Sequence, residues 1–220
     1  MKRETGLILA LDVTSRERAL RIADKVGDAV DAVKVGYPLV LSAGPDVIKK
    51  LRKNAPVIAD FKIADIPNIS RLICECAFES GANGVIVQGF AGRDSLDACV
   101  AVAKRYGGEV YAVVEMSHPG AMSFFQPVAE KMAVMAKTCK ADGIVAPATR
   151  PERVKKLKKL AAPLRVLCPG VGAQGGSAGE VIRAGADWII VGRTIYEARN
   201  PRSAAEKIVE EIKSALEVKR

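Results

Sequence analysis

Residues 57–87 read VIADFKIADIPNISRLICECAFESGANGVIV. Val57–Phe61 opens as an apolar run rich in branched residues, as expected of a strand buried on both faces. Ile66–Glu79 carries apolar residues at helical spacing, with Pro67 placed to start a helix. Gly81-Ala82-Asn83-Gly84 then breaks the pattern, and Gly84–Val87 is a second apolar run of strand length. A strand, a helix and a second strand of the same kind make one βα unit of a parallel sheet.

The same unit recurs along the chain. Strand-like runs fall at Leu7–Leu11, Ala32–Val35, Val57–Phe61, Gly84–Val87, Val110–Val114, Gly143–Val145, Arg165–Cys168 and Trp188–Val191. Amphipathic stretches separate them at Ser15–Val26, Asp46–Lys53, Ile66–Glu79, Arg93–Arg105, Pro127–Cys139, Pro151–Leu160, Ser177–Ala184 and Pro201–Val218. The junctions Gly81-Ala82-Asn83-Gly84, Lys140-Ala141-Asp142-Gly143 and Gly185-Ala186-Asp187-Trp188 echo one another. Eight even βα units in 220 residues predict a closed (β/α)8 barrel, the TIM-barrel class of α/β fold. An open doubly wound sheet is the alternative and seldom needs eight such units. No linker or low-complexity segment divides the chain, so residues 1–220 are expected to form one domain.

Composition narrows the function classes. Apolar residues make up 49% of the chain, enough for a large core, yet no apolar run approaches the roughly 20 residues that span a bilayer. The start, MKRETGLILALDV, is interrupted by Asp12 and has no small-residue cleavage site, which predicts a cytoplasmic protein without membrane association. Cys74, Cys76, Cys99, Cys139 and Cys168 lack zinc spacing and read as reduced core thiols. With His118 as the sole histidine, a multi-histidine metal site or a conventional Ser-His-Asp site would be hard to build. The net charge of +9 is spread out, and the basic run 153–160 has leucines at helical spacing, so its lysines form a solvated face. Aromatic residues for base stacking are few. The charge suits an anionic small molecule better than nucleic acid.

In a barrel of this class, reacting groups stand at the C-terminal ends of the strands. Polar residues collect there: Asp12 after strand 1, Lys34 in strand 2, Asp60, Lys62 and Asp65 around strand 3, Gln88 after strand 4, and Glu115-Met116-Ser117-His118 after strand 5. Residues two apart in a strand share a face, so Asp60 and Lys62 point together, and Lys34 sits at the matching level of the next strand. An alternating Lys–Asp–Lys array at the barrel mouth follows. A salt-bridge cluster that merely closes the barrel is the competing reading, but burying several charges costs several kcal/mol each unless they are well paired. Asp65 precedes Ile66-Pro67 and also suits a helix N-cap. Strand 7 runs into PGVGAQGG (169–176), with four glycines in eight residues, and strand 8 into Gly192-Arg193. Backbone N–H groups of a glycine-rich loop, joined by an arginine fork, cradle an anion, and barrels often hold a phosphate between these two loops.

LALDV (9–13), VKVGYPL (33–39), ADFKIADIPN (59–68), EMSHPGA (115–121), PGVGAQGG (169–176) and IVGRTIY (190–196) together resemble the orotidine 5′-monophosphate decarboxylase family in its short, archaeal-type form. The D-x-K-x-x-D motif at 60–65 is shared with a wider barrel group, whereas Lys34, SHPG and GVGAQGG narrow it. The resemblance implies a cofactor- and metal-free enzyme that converts orotidine 5′-monophosphate to uridine 5′-monophosphate, the last step of UMP biosynthesis. Lys34, Asp60 and Lys62 form the catalytic array, with Lys62 protonating C6. Asp65 is contributed to the partner's site in a homodimer. Asp12 and Lys34 hold the ribose hydroxyls, Ser117 and Gln174 contact the pyrimidine, Gln174 reaches the phosphate from a closing lid, and Gly192 and Arg193 bind the phosphate. Ile66 and Pro169 complete the binding set.

Two positions depart from that pattern: Ile69 stands where the family commonly has Thr, and Gln88 where relatives often have His. His118 is expected to shape the turn before Pro119 rather than act as a base. Two rivals stand beside this reading. One is a magnesium-dependent sugar-phosphate lyase of the wider group, such as a hexulose-phosphate synthase, which typically has Glu at the place of Lys34. The other is a non-catalytic basic barrel that binds RNA, marked by salt-sensitive binding without turnover.

Overall fold

The computed structural model describes residues 1–218; residues 219 and 220 of the expected domain lie outside them. Among the described residues eight parallel strands close in chain order into a barrel: β1 (Leu7–Leu11), β2 (Ala32–Gly36), β3 (Val57–Ile63), β4 (Gly84–Gln88), β5 (Glu109–Val113), β6 (Gly143–Val145), β7 (Arg165–Pro169) and β8 (Trp188–Val191). Every run read as a strand is one, within two residues at either end.

The helices are α1 (Arg16–Val26), α2 (Tyr37–Ala43), α3 (Asp46–Leu51), α4 (Pro67–Glu79), α5 (Arg93–Tyr106), α6 (Ala121–Phe124), α7 (Ala129–Thr138), α8 (Pro151–Ala161), α9 (Ala178–Ala184), α10 (Arg193–Tyr196) and α11 (Pro201–Glu217). Three of these, α2, α6 and α10, are absent from the sequence reading. Each has seven residues or fewer, two turns at most, too short for a 3.6-residue period to stand out. All three follow strand C-termini and shape the mouth of the barrel.

Strands buried on both faces explain the unalternating Val/Ile runs. Inward residues such as Ile8, Ile58, Tyr111, Leu167 and Trp188 fill the barrel, while a larger cluster lies between strands and helices. The N-terminal end is sealed. Arg165 lies over the rings of Trp188 and Tyr111, and buried Asp31 accepts from the Trp188 indole at 2.8 Å and from the backbone N–H groups of Thr5 and Gly6. Depth remains only at the opposite, C-terminal end. Ser15, Ser177 and Asn200 cap α1, α9 and α11 through their side chains. Cys74, Cys99, Cys139 and Cys168 are buried and Cys76 exposed, all as free thiols. No described helix is long and apolar enough to cross a membrane.

Candidate active site

A cavity of about 250 Å³ opens at the C-terminal end of the strands. Its floor is apolar (Ile86, Val113, Val145 and Ile190), and one wall carries Asp12, Lys34, Asp60 and Lys62. The rest of its rim comes from the end of β7 and the loops after β5, β7 and β8: Ser117, Pro169, Gln174, Gly192 and Arg193. The charged array and the two glycine-bearing loops therefore border one cavity.

Asp60 is the hub. Its Oδ2 lies 2.8 Å from Lys34 Nζ, and the Lys62 ammonium donates to both carboxylate oxygens at 2.9 Å. Lys34 also donates to Asp12 at 3.4 Å. The Lys34 and Asp60 side chains are 9% and 7% exposed, that of Lys62 37%. Burial pushes the Lys34 ammonium down, but the carboxylates of Asp60 and Asp12 outweigh it and hold its pKa above the ordinary lysine value. Burial likewise pushes Asp60 up, and Lys34 and Lys62 overcome it, so Asp60 stays below the usual carboxylate range. Lys34 and Asp60 are therefore both charged at neutral pH.

Two details of this geometry differ from the period-2 expectation. The register pairs Gly36 with Asp60 and Lys34 with Ile58, so Lys34 sits two residues before the partner of Asp60 and its four-carbon stem closes the gap. In addition, Lys62 has φ +41°, and the β3–β4 register shifts between Ala59 and Ile63. Left-handed backbone at a long side chain is uncommon, and such residues cluster where strain serves function. The bulge re-aims Lys62 over the Asp60 carboxylate. Phe61 points to the other side, stacked on Tyr37 at 5.5 Å between centroids.

The loop 169–176 folds back on itself. Gly170, Gly172 and Gly175 all have positive φ, and the N–H groups of Gly172 and Gly176 donate to the carbonyls of Gly176 and Gly170. Its tip is tied across the cavity by the Ser117 hydroxyl, which donates to Gln174 Oε1 at 2.7 Å. Arg193 is exposed at the first turn of α10, where Gly192 is the N-cap.

Asp65 and Ile66 do not line this cavity. Both are exposed, Ile66 at 64%. The N-cap of α4 is Ile66, without side-chain capping; the Asp65 carboxylate instead accepts from the adjacent Ile66 N–H at 2.7 Å. The N-cap reading of Asp65 is therefore corrected, because the chain turns one residue later, at the X-Pro step. His118 is exposed, and its carbonyl accepts from Ala121 N, as a turn-forming residue would. Gln88 is half-buried, donates to Met116 Sδ at 3.9 Å and leaves its Oε1 unpaired.

Sequence reasoning passed over Thr149 and Arg150, which follow β6. The Thr149 hydroxyl donates to the Ser117 carbonyl at 3.0 Å, and Arg150 donates to the Met116 carbonyl and to fully buried Glu115. Tyr196 and Val171, also overlooked, line the cavity. The rule of polar residues at strand ends reaches Thr149 and Arg150 once it is applied to β6. Among the described residues no group of three or more His, Cys, Asp or Glu is placed to hold a metal ion.

The family model described as "Orotidine 5'-phosphate decarboxylase / HUMPS family" matches residues 5–208. The chain belongs to this family. It is 60% identical over 217 residues to an orotidine 5′-phosphate decarboxylase of Methanosarcina mazei, covering 98% of this chain and 99% of the relative. It is 50% identical over 212 residues to one of Thermococcus kodakarensis, covering 95% and 97%. Among solved structures, orotidine 5′-monophosphate decarboxylase of Methanocaldococcus jannaschii, complexed with the inhibitor BMP, superimposes with a TM-score of 0.91 at 50% identity, covering 94% of this chain and 98% of that one. A Sulfolobus solfataricus enzyme of the same name reaches 0.86 at 31% identity, covering 97% and 100%.

Proposed function

We propose that this chain decarboxylates orotidine 5′-monophosphate to uridine 5′-monophosphate and CO2, the closing step of UMP biosynthesis, in the cytoplasm and without metal or cofactor. The observation that carries the reading is the Lys34–Asp60–Lys62 array, built on a buried Lys34–Asp60 pair, bordering the same cavity as two loops suited to an anion. In the proposed reaction the bond between C6 of the pyrimidine and its carboxylate breaks, CO2 leaves, and the electron pair stays on C6. Lys62 is the donor suited to that charge. Its ammonium is held by both oxygens of Asp60 and is in place before any carbanion forms, so it stabilises the developing charge without reorganisation and then transfers a proton to C6. Asp60, kept ionised by its two lysines, sets a negative charge against the departing carboxylate. Lys34 and Asp12 take the ribose hydroxyls. Ser117 and Gln174 take the ring, with Pro169 beside it, and Gly192 and Arg193 take the phosphate.

In this reading the enzyme is a homodimer in which Asp65 and Ile66 complete the partner's site. Their exposure outside their own cavity supports that assignment. Phosphate binding closes the 169–176 loop, so binding energy remote from the ring organises the reacting groups.

The test is loss of the substrate's ultraviolet absorbance with purified protein in excess chelator. Full turnover is expected. No turnover by folded protein would overturn the assignment. Turnover that returns only with added magnesium would overturn the metal-free reading.

A further inference from the structure

Among the described residues six polar side chains are buried; Asp31 closes the N-terminal end and Glu115 is held by arginines. Lys34 and Asp60 belong to the array, and Ser70 and Ser95 stand apart from it at 0% and 1% exposure. Ser70 lies in the first turn of α4 and Ser95 in the first turn of α5. Both hydroxyls donate to the same acceptor, the backbone carbonyl of Asp65, Ser70 at 2.8 Å and Ser95 from 30 residues away in sequence. A carbonyl oxygen accepts two such bonds, so the Asp65 carbonyl is saturated. A buried hydroxyl without a partner costs about 1–3 kcal/mol, so each serine holds firmly to this one oxygen. The Asp65 carboxylate is held in turn by the Ile66 N–H. An exposed acidic residue outside its own cavity is thus held at both backbone and side chain by partners on two segments, the start of α4 and the start of α5.

We propose that Ser70 and Ser95 are positioning residues for the reaction, a two-hydroxyl clamp that fixes Asp65 at the angle at which it enters the partner's site. The proposal rests on the reading that Asp65 acts across a dimer. Hybrid dimers separate the two ideas. A Lys62→Ala chain paired with an Asp65→Asn chain has one working site, built from Lys62 of the second chain and Asp65 of the first. Recovered turnover in this hybrid, relative to either inactive parent dimer, establishes the crossing. Ser95→Ala is then added either to the chain that donates the working Asp65 or to the other chain. Both hybrids contain the same substitutions, so a purely structural loss is equal in the two.

The clamp predicts that kcat falls roughly tenfold only when Ser95→Ala is on the donating chain, given that displacements near 1 Å cost up to about a hundredfold. Ser70→Ala placed in the same way gives the same asymmetry and decides the matter if the Ser95 variant fails to assemble. Equal kcat in the two placements would overturn the clamp while leaving the crossing intact. Absence of turnover in the parent hybrid would overturn both.

Discussion

Replacing Lys34 by Met keeps the length of the side chain and removes its charge. Lys34 Nζ lies 2.8 Å from Asp60 Oδ2, with side chains 9% and 7% exposed. At an effective dielectric constant near 20 the gross attraction at that distance is about 6 kcal/mol, much of which offsets the desolvation of the two ions. The variant leaves Asp60 buried with Lys62 alone, whose side chain is 37% exposed. Removing one partner of a buried pair costs about 3–5 kcal/mol; the remaining lysine sets the expectation near the lower end, about 3 kcal/mol at pH 7. For a chain of this length that lowers Tm by roughly 6–12 °C. Lys62→Met leaves the buried pair intact and is expected to cost about 1 kcal/mol or less, as for exposed pairs.

The loss also depends on pH, with a definite sign. In the native protein Asp60 is held below the ordinary carboxylate value, so its contribution is present above about pH 4 and is lost as pH falls through the depressed value. Without Lys34 the pKa of Asp60 rises, and protonation relieves the penalty. The gap between native protein and variant therefore narrows on acidification, by about 1.4 kcal/mol per pH unit below the variant's Asp60 pKa. Denaturant titrations at pH 7, 5.5 and 4.5 read both quantities. A loss under about 1 kcal/mol at pH 7 would refute the claim that Lys34 keeps a buried charge in place.

Three further outcomes are expected. Lys62→Ala abolishes turnover while circular dichroism and Tm stay near native values; a near-normal rate in that variant refutes its role as proton donor. Arg193→Ala raises KM for the phosphorylated substrate by a factor of ten or more, about 1.4 kcal/mol or above for a charge-assisted contact, and an unchanged KM moves the phosphate elsewhere. Gly172→Ala places a methyl group 2.5 Å from Thr194 Oγ1 at φ +75°, so it disturbs the 169–176 loop; kcat/KM falls with little change in Tm, and unaltered kinetics would show that the loop tolerates another path.

Strand positions, the closed eightfold order and the residues of the array were legible in the sequence, because each follows from a local rule. Val/Ile runs apolar on both faces mark buried parallel strands, eight such units close a barrel, and a barrel places its reacting groups at strand C-termini. The run PGVGAQGG likewise shows its loop character, since only glycine accepts positive φ without cost. The short helices α2, α6 and α10 escaped because two turns or fewer carry no measurable period.

What the tertiary structure decided are angles and through-space contacts. Lys62 meets Asp60 through a bulge and a left-handed backbone, which a strict period of two does not contain. Lys34 reaches Asp60 from two residues below its register partner, because the stagger of the strands sets relative height. Asp65 left its expected cap to stand exposed, and its carbonyl receives a serine from the next helix. The amino-acid order specifies which side chains arrive at the mouth of the barrel. How they are aimed depends on strand stagger, one strained dihedral and hydroxyls distant in sequence, and these exist only once the sheet has closed.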